Sequence, residues 1–208
     1  MTQYEAEVGA LFIAELQFRL SSAVRIASTL GKQPLDLPVE WVHGQHRVRY
    51  KEVALRPDQG EFAAACLQRS ATYMLAMAAK DAIRVATPDP KNSPDSNVRS
   101  AYQIARLIRN AFAHSPFKPV WSVDADCQNQ VFELPGIVRL DTTGLNGQPF
   151  DWRHYGGPLA LLQLARYVRY EILGDERKER TVVPLPQAAY LQQGDLILQR
   201  VKRPDPDA

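Results

Sequence analysis

The chain has 208 residues, of which 45% are hydrophobic and 23% charged. That balance suits one folded domain with a sizeable core better than two full domains, and it excludes long disorder. Basic residues barely exceed acidic ones, giving a formal net charge of +2, too mild to identify a nucleic-acid protein from electrostatics alone.

Two cysteines, Cys66 and Cys127, supply neither a disulfide framework nor metal-ligand spacing. Cys66 lies in the apolar run from Phe62 to Leu67 and reads as a buried, reduced thiol. The opening Met1-Thr2-Gln3-Tyr4-Glu5 lacks the basic start and apolar centre of a signal peptide. No apolar stretch approaches the roughly 20 residues of a membrane span. The expectation is a cytoplasmic protein with no membrane partner.

The first predicted helix runs from about Gln3 to Leu30. Val8, Phe12, Leu16, Leu20, Ala23, Ala27 and Leu30 recur at helical spacing and form one apolar stripe, with Gly31 as the C-terminal cap. Between residues 32 and 60, prolines punctuate two short β-like pieces, Val39 to Val42 and Arg47 to Tyr50, which predict a small hairpin or ordered loop. A second helix starts near Gln59 to Glu61 and ends before Pro88. Rich in alanine, with Phe62, Leu67, Tyr73, Met74, Met77 and Ile83 filling in between, it is apolar almost all round and reads as the central helix of a bundle.

A polar, proline-rich connection leads to the third helix. Ser93 is the expected N-cap, Pro94 the first helical residue, and Asp95 a negative charge in the first turn. Its core stripe is Val98, Ala101, Ile104, Ala105, Ile108, Ala111 and Phe112, and Ser115-Pro116 stops it. Residues 117–150 turn β-like in three places, Val120 to Val123, Val131 to Leu134 and Gly136 to Leu140, which predicts a small antiparallel meander. The fourth helix begins at Gly157-Pro158 and runs to Leu173, with Leu161, Leu164, Ala165, Val168 and Ile172 inward. The resulting fold class is mainly α: a single domain over 1–208, built as a bundle of about four long helices, with a β insertion at 117–150 and a C-terminal extension at 175–208.

The chemistry concentrates at the end of the third helix, in Arg109-Asn110-Ala111-Phe112-Ala113-His114. Asn110 and His114 share a helical face, and the long side chain of Arg109 can sweep the remaining angle. Arg106 lies one turn earlier and is expected, with Asn110, to help bind the substrate. A histidine with a near-neutral pKa can take the proton from a ribose 2′-hydroxyl or give one to a leaving oxygen. An arginine offers a planar, permanently charged fork to the phosphate as its charge grows. A second acid or base is still needed, and a twofold dimer would supply it. The bland alternative pairs Arg109 with an acidic neighbour and leaves His114 to cap the helix C-terminus.

These residues resemble the R-x4-6-H motif of the HEPN superfamily, in which a polar residue commonly follows the arginine. The resemblance covers the motif closely and the helical regions, 61–173, in outline. It implies a helical bundle with the motif on a late helix, acting in many members as a metal-independent ribonuclease from a composite homodimer site. The associated settings are toxin–antitoxin, phage-defence and RNA-processing systems. Arg109 and His114 then form the catalytic pair and Asn110 supports them. The expected partners are single-stranded or loop RNA, a second copy of the chain, and an antitoxin or regulatory protein. No cofactor and no metal are expected. The β-like insertion, and Pro116 where one toxin subgroup has tyrosine, are departures from that subgroup. A catalytically silent module that binds RNA, a nucleotide or a protein partner is the alternative.

Three further clusters are weaker. Arg153 and His154, in the loop Asp151 to Gly157 before a helix N-terminus, could bind a phosphate or stack a base. His43 and His46 flank a glycine but have no third ligand for zinc. Arg166, Arg169, Arg177, Lys178 and Arg180 form a basic stripe, read as a solvated helix face or an RNA track.

Overall fold

The computed structural model describes residues 3–31, 40–43, 45–49, 55–113, 115–176, 189–193 and 196–200. Among these residues the chain is mainly helical, with four α-helices and small antiparallel hairpins. The helices are α1 (Glu5–Thr29), α2 (Pro57–Ala86), α3 (Ser96–Ala113) and α4 (Pro158–Tyr167). Residues 1–176 form one compact unit and residues 177–208 another.

The core of the larger unit is drawn from all four helices. α2 packs against α1, α3 and α4, the central position its alanines predicted. Ala64, Ala71, Ala76, Ala79 and Ala82 are buried along it, and their lack of bulk allows neighbouring helices to approach closely. α3 has a clean amphipathic pattern. Ala101, Ile104, Ala105, Ile108, Ala111 and Phe112 are all buried, as their spacing required.

Its start differs from expectation: Asp95, not Ser93, is the cap, its Oδ1 accepting from the backbone N–H of Asn97 at 2.8 Å and of Val98 at 3.3 Å. Ser93 instead accepts from the N–H of Asp95. A carboxylate there also meets the positive end of the helix dipole, which favours it over a hydroxyl.

α1 corrects the sequence reading more deeply. The face it turns inward carries Val8, Leu11, Ala14 and Phe18, whereas Phe12, Leu16 and Leu20, placed with Val8 on one apolar stripe, are exposed. The helix is apolar on two sides, and periodicity alone cannot say which side the domain covers. Similarly, Phe62, Leu67 and Met74 on α2 are exposed rather than filling the core. Cys66 is half-buried, while Cys127 is the buried thiol.

The β structure is more modest than a meander. β1 (Glu40–His43) pairs with β2 (His46–Arg49), placing His43 opposite His46. β3 (Val131–Leu134) pairs with β4 (Val138–Asp141) across a turn at Gly136. The alternation is clean: Phe132, Leu134, Val138 and Leu140 point into the core. The first predicted piece of this region, Val120 to Val123, makes only an isolated bridge from Val120 to Pro149. Trp121 and Val123 are buried there as loop residues; in place of a ladder, Trp121 exchanges backbone bonds with Gly147 and Gln148, and the N–H of Val123 donates to Asn146 Oδ1. In the smaller unit, β5 (Ala189–Gln193) pairs with β6 (Leu196–Arg200).

α4 does not continue as an α-helix to Leu173. Gly156 and Gly157 both hold positive φ before Pro158 opens it. From Val168 to Ile172 the backbone winds as a π-helix. That turn carries Arg169, which is 2% exposed and therefore not part of a solvated basic face. Its Nη1 donates to Glu15 of α1 at 2.8 Å, its Nε lies 3.3 Å from Asp175, and its guanidinium also bonds the Tyr170 hydroxyl. The rings of Tyr170 and Phe12 flank the same cation, 4.4 and 5.4 Å from its central carbon. Arg177, Lys178 and Arg180, the remainder of the predicted stripe, lie outside the described residues.

Candidate functional site: the C-terminal end of α3

α3 ends at Ala113, and the chain is held just beyond it. The N–H of Val120 donates to the carbonyl of Ala111 at 3.1 Å, satisfying one of the helix's terminal acceptors. Arg69 of α2 donates to the carbonyl of Phe117 at 2.8 Å and pins the following turn. Ala113 and Ser115 are exposed on either side of His114, which itself lies outside the described residues.

The three polar residues of the motif helix are brought together through Asp124 and Asp126, in the short 3-10 turn that precedes β3. Arg106 and Asn110 are one helical turn apart, so both side chains reach the same carboxylate. Arg106 Nη2 lies 3.1 Å from Asp124 Oδ2 and donates to Asp126 Oδ1 at 3.2 Å and Cys127 Sγ at 3.1 Å. Asn110 Nδ2 donates to Asp124 Oδ2 at 3.1 Å, and Arg109 Nη1 donates to Asn110 Oδ1 at 3.3 Å. Lys91 adds a second cation, 2.6 Å from Asp126.

The charges sort themselves unequally along this chain of bonds. Burial works against the Arg106 cation, but Cys127, Asp124 and Asp126 outweigh it and hold its pKa above the ordinary value. Lys91 chiefly, and Arg106 after it, hold the Asp126 carboxyl below the usual range. Burial pushes the Cys127 thiol up, against the pull of Arg106. Arg106 is thus a structural cation already matched by two carboxylates. Arg109 differs: it is half-buried, and among the described residues no carboxylate stands within ion-pair distance of it. Its Nε is buried without a hydrogen-bond partner. The acidic neighbour that could have neutralised the motif arginine is used by Arg106 instead.

Arg153 and His154 belong to a different arrangement. Arg153 grips Asp151 with its Nε and Nη2, at 3.0 and 2.6 Å from Oδ2, while Asp151 also caps the backbone N–H of Arg153 at 2.8 Å. His154 Nδ1 accepts from the Trp121 indole N–H at 2.8 Å, which places the proton of the neutral ring on Nε2. Trp121, Phe150, Trp152 and Tyr155 stack around this loop, and Phe150 meets Phe112 of α3 edge-on, 4.6 Å between ring centres. The loop therefore braces the end of α3 through aromatic packing. No hydrogen bond or ion pair among the described residues joins Arg153 or His154 to Arg106, Arg109 or Asn110.

The Arg153 side chain and its backbone N–H hold the Asp151 carboxyl down to about 2. A depressed carboxylate pKa contributes stability above the group's ordinary value, and that contribution is lost as pH falls towards the folded value. The loop is accordingly expected to keep its near-ultraviolet tryptophan signal at pH 4 and to lose it between about pH 3.8 and 2. In Asp151→Asn the acid-dependent part of that change should disappear.

Lys91, Asp124, Asp126 and Cys127 are the members of the site that sequence reasoning missed. The acidic pair in Val123-Asp124-Ala125-Asp126-Cys127 was visible, but no local rule ties it to a helix 14 or more residues upstream. Among the described residues, no group of three or more His, Cys, Asp and Glu side chains converges to hold a metal ion. No helix among them is long and apolar enough to cross a membrane. Comparison with protein-family models, with curated proteins and with solved structures finds nothing that matches this chain.

Proposed function

We propose that this chain is a HEPN-like, metal-independent endoribonuclease that acts in the cytoplasm on single-stranded or loop RNA. The observation that carries the reading is Arg109, a half-buried arginine at a helix end with a buried, unpartnered Nε and no carboxylate among the described residues to neutralise it. Such a group is suited to a phosphate, whose oxygens match the guanidinium fork. Asn110, anchored by Asp124, sets the position of Arg109 through its side-chain oxygen. His114 takes the proton from the ribose 2′-hydroxyl as that oxygen attacks phosphorus. The bond to the 5′-oxygen breaks, and that oxygen receives a proton from His114 of the partner subunit, leaving a 2′,3′-cyclic phosphate. A homodimer supplies both histidines, and an antitoxin that covers the motif would fit a toxin or phage-defence setting.

A looped RNA oligonucleotide and its 2′-deoxy counterpart, each incubated with and without EDTA, test the mechanism. RNA should be cut to cyclic-phosphate ends at the same rate with chelator, and the deoxy strand should remain whole. Cleavage of the deoxy strand, or activity that EDTA removes, would exclude 2′-hydroxyl attack.

A second reading is favoured by the carboxylates. Asp124 lies one hydrogen bond from Asn110 and Asp126 beside it, so negative charge stands close to the place a phosphate would occupy. A silent module that binds RNA, a nucleotide or a protein partner fits that environment. RNA binding that depends on Arg109 without any cleavage would decide for it.

A further inference from the structure

The outer side of α1 has an order that the packing among the described residues does not use. Ala6, Gly9, Ile13, Leu16, Leu20, Ala23, Ala27 and Leu30 alternate spacings of three and four residues without a break. That is the a/d seam of a heptad repeat, and in a coiled coil it faces a second helix. The core residues Val8, Leu11, Ala14 and Phe18 occupy the opposite b, c and f positions. The seam is therefore not the edge of the core stripe but a second stripe. Ile13 is 58% exposed, Leu20 62% and Leu16 44%. From Gly9 to Leu30 the flanking e and g positions are Ala10, Phe12, Gln17, Arg19, Val24 and Ile26, mostly apolar as well.

Gly9 makes the case specific. A glycine inside a helix costs roughly 1 kcal/mol relative to alanine. Nothing among the described residues requires it: a Cβ built there meets none of their atoms within 4 Å. A small residue on an exposed seam has a use when another helix must approach closely.

We propose that this face is a self-association surface, on which a second copy of the chain packs its own α1 antiparallel. With the twofold axis between Ile13 and Leu16, Ile13 of each copy meets Leu16 of the other and Leu20 fills the hollow left by Gly9. In a parallel pair the two hollows would face each other and stay empty. Antiparallel α1 helices also oppose their dipoles favourably.

The face extends across the groove to α2. Its lining includes Ala10, Ile13 and Gln17 on one side and Met74, Ala78 and Val85 on the other, a concavity of about 440 Å³. Met74 and Val85 are exposed there. An overlap of about 20 residues is about 30 Å long. Two helices side by side span about 20 Å. The contact then removes about 600 Å² from each copy, about 1,200 Å² in total, which reaches the lower end of stable protein interfaces.

The second copy is one that the ribonuclease reading also calls for, but the seam stands on α1 and the Arg109 motif on α3, with α2 packed against both. Use of both faces would join dimers through a second interface, closing at a tetramer where the two twofold axes cross at right angles.

Analytical ultracentrifugation of the full chain between 1 and 100 µM tests the surface. The wild type should associate, and Ile13→Asp and Leu20→Asp should each weaken association at least tenfold. Gly9→Leu should weaken it as much while melting no lower than wild type at 1 µM, which separates a blocked hollow from a misfolded chain. A wild type monomeric at 100 µM, or association that none of the three variants alters, would overturn the proposal. Association through α1 with no RNA cleavage leaves this surface standing without the nuclease. Cleavage by a dimer that the α1 variants leave intact has the opposite meaning.

Discussion

Replacing His114 by alanine is expected to slow RNA cleavage by about 10²–10⁴-fold, the contribution of one positioned acid–base group. The elements on either side of it are held by other residues. Val120 holds the last turn of α3 through the carbonyl of Ala111, and Arg69 holds the turn at Phe117. The variant should therefore keep the circular dichroism and melting curve of the wild type, so that lost activity reports chemistry. Arg109→Lys provides the companion measurement. An ammonium keeps the positive charge but cannot present two parallel donors to a phosphate, and it loses the guanidinium's hydrogen bond to Asn110. Single-turnover rates on an end-labelled looped RNA distinguish the two roles. Loss of the proton acceptor should flatten the pH dependence of the rate, whereas loss of the fork should lower the rate at every pH. An unchanged single-turnover rate in His114→Ala would remove the residue from the mechanism.

Arg169→Ala should destabilise the larger unit by about 3–5 kcal/mol, the usual effect of removing one partner from a buried charge cluster. Glu15 and Asp175 are themselves buried, at 0% and 7% exposure, and each loses the cation that faces it. Tyr170 and Phe12 lose the guanidinium that packs over their rings. Against a total stability of about 5–15 kcal/mol, that loss is large. For a domain of this size it corresponds to roughly 6–20 °C in melting temperature. Urea unfolding of the single variant and of Glu15→Gln with Arg169→Met provides the measurement. The double variant should recover part of the loss, because a neutral pair leaves less charge stranded. A single variant within 1 kcal/mol of wild type would mean that the carboxylates are solvated in a way their burial contradicts.

The parts of the fold visible in the sequence are those where one local rule acts alone. α3 was legible because only one of its faces is apolar, and β3 with β4 because their alternation admits a single inward side. α1 defeated the same rule. Its two apolar stripes gave the periodicity no reason to prefer Leu11 and Phe18 over Leu16 and Leu20, and only the packing of α2 decides between them. Val120 to Val123 looked like a strand because valine and tryptophan favour pleated surfaces. In the structure Val120 is exposed, and Trp121 is buried against the aromatic cluster at Phe150 instead. At the candidate site, Arg106, Arg109 and Asn110 were found from one helical turn. Asp124, Asp126 and Lys91 come from other elements, and charge pairing across a loop leaves no periodic trace. Glu15 stood in plain view between Ala14 and Leu16, but its partner is 154 residues away.

The π-turn at Val168–Ile172 divides the last helix into two registers. An α-helix turns by about 100° per residue, so the wide turn rotates everything after it relative to the residues before it. Arg169 and Leu173 are buried, while Ile172, placed inward by uninterrupted α spacing, is only half-buried. Asp175 comes back over the turn, its N–H donating to the carbonyl of Arg169 at 3.0 Å. One residue fewer between 168 and 172 would restore a regular helix and swing that carboxylate away from the guanidinium. The extra residue and the charges it aligns are therefore expected to vary together: in a related sequence, a one-residue gap at this point should come with the exchange of Glu15, Arg169 and Asp175 for neutral side chains.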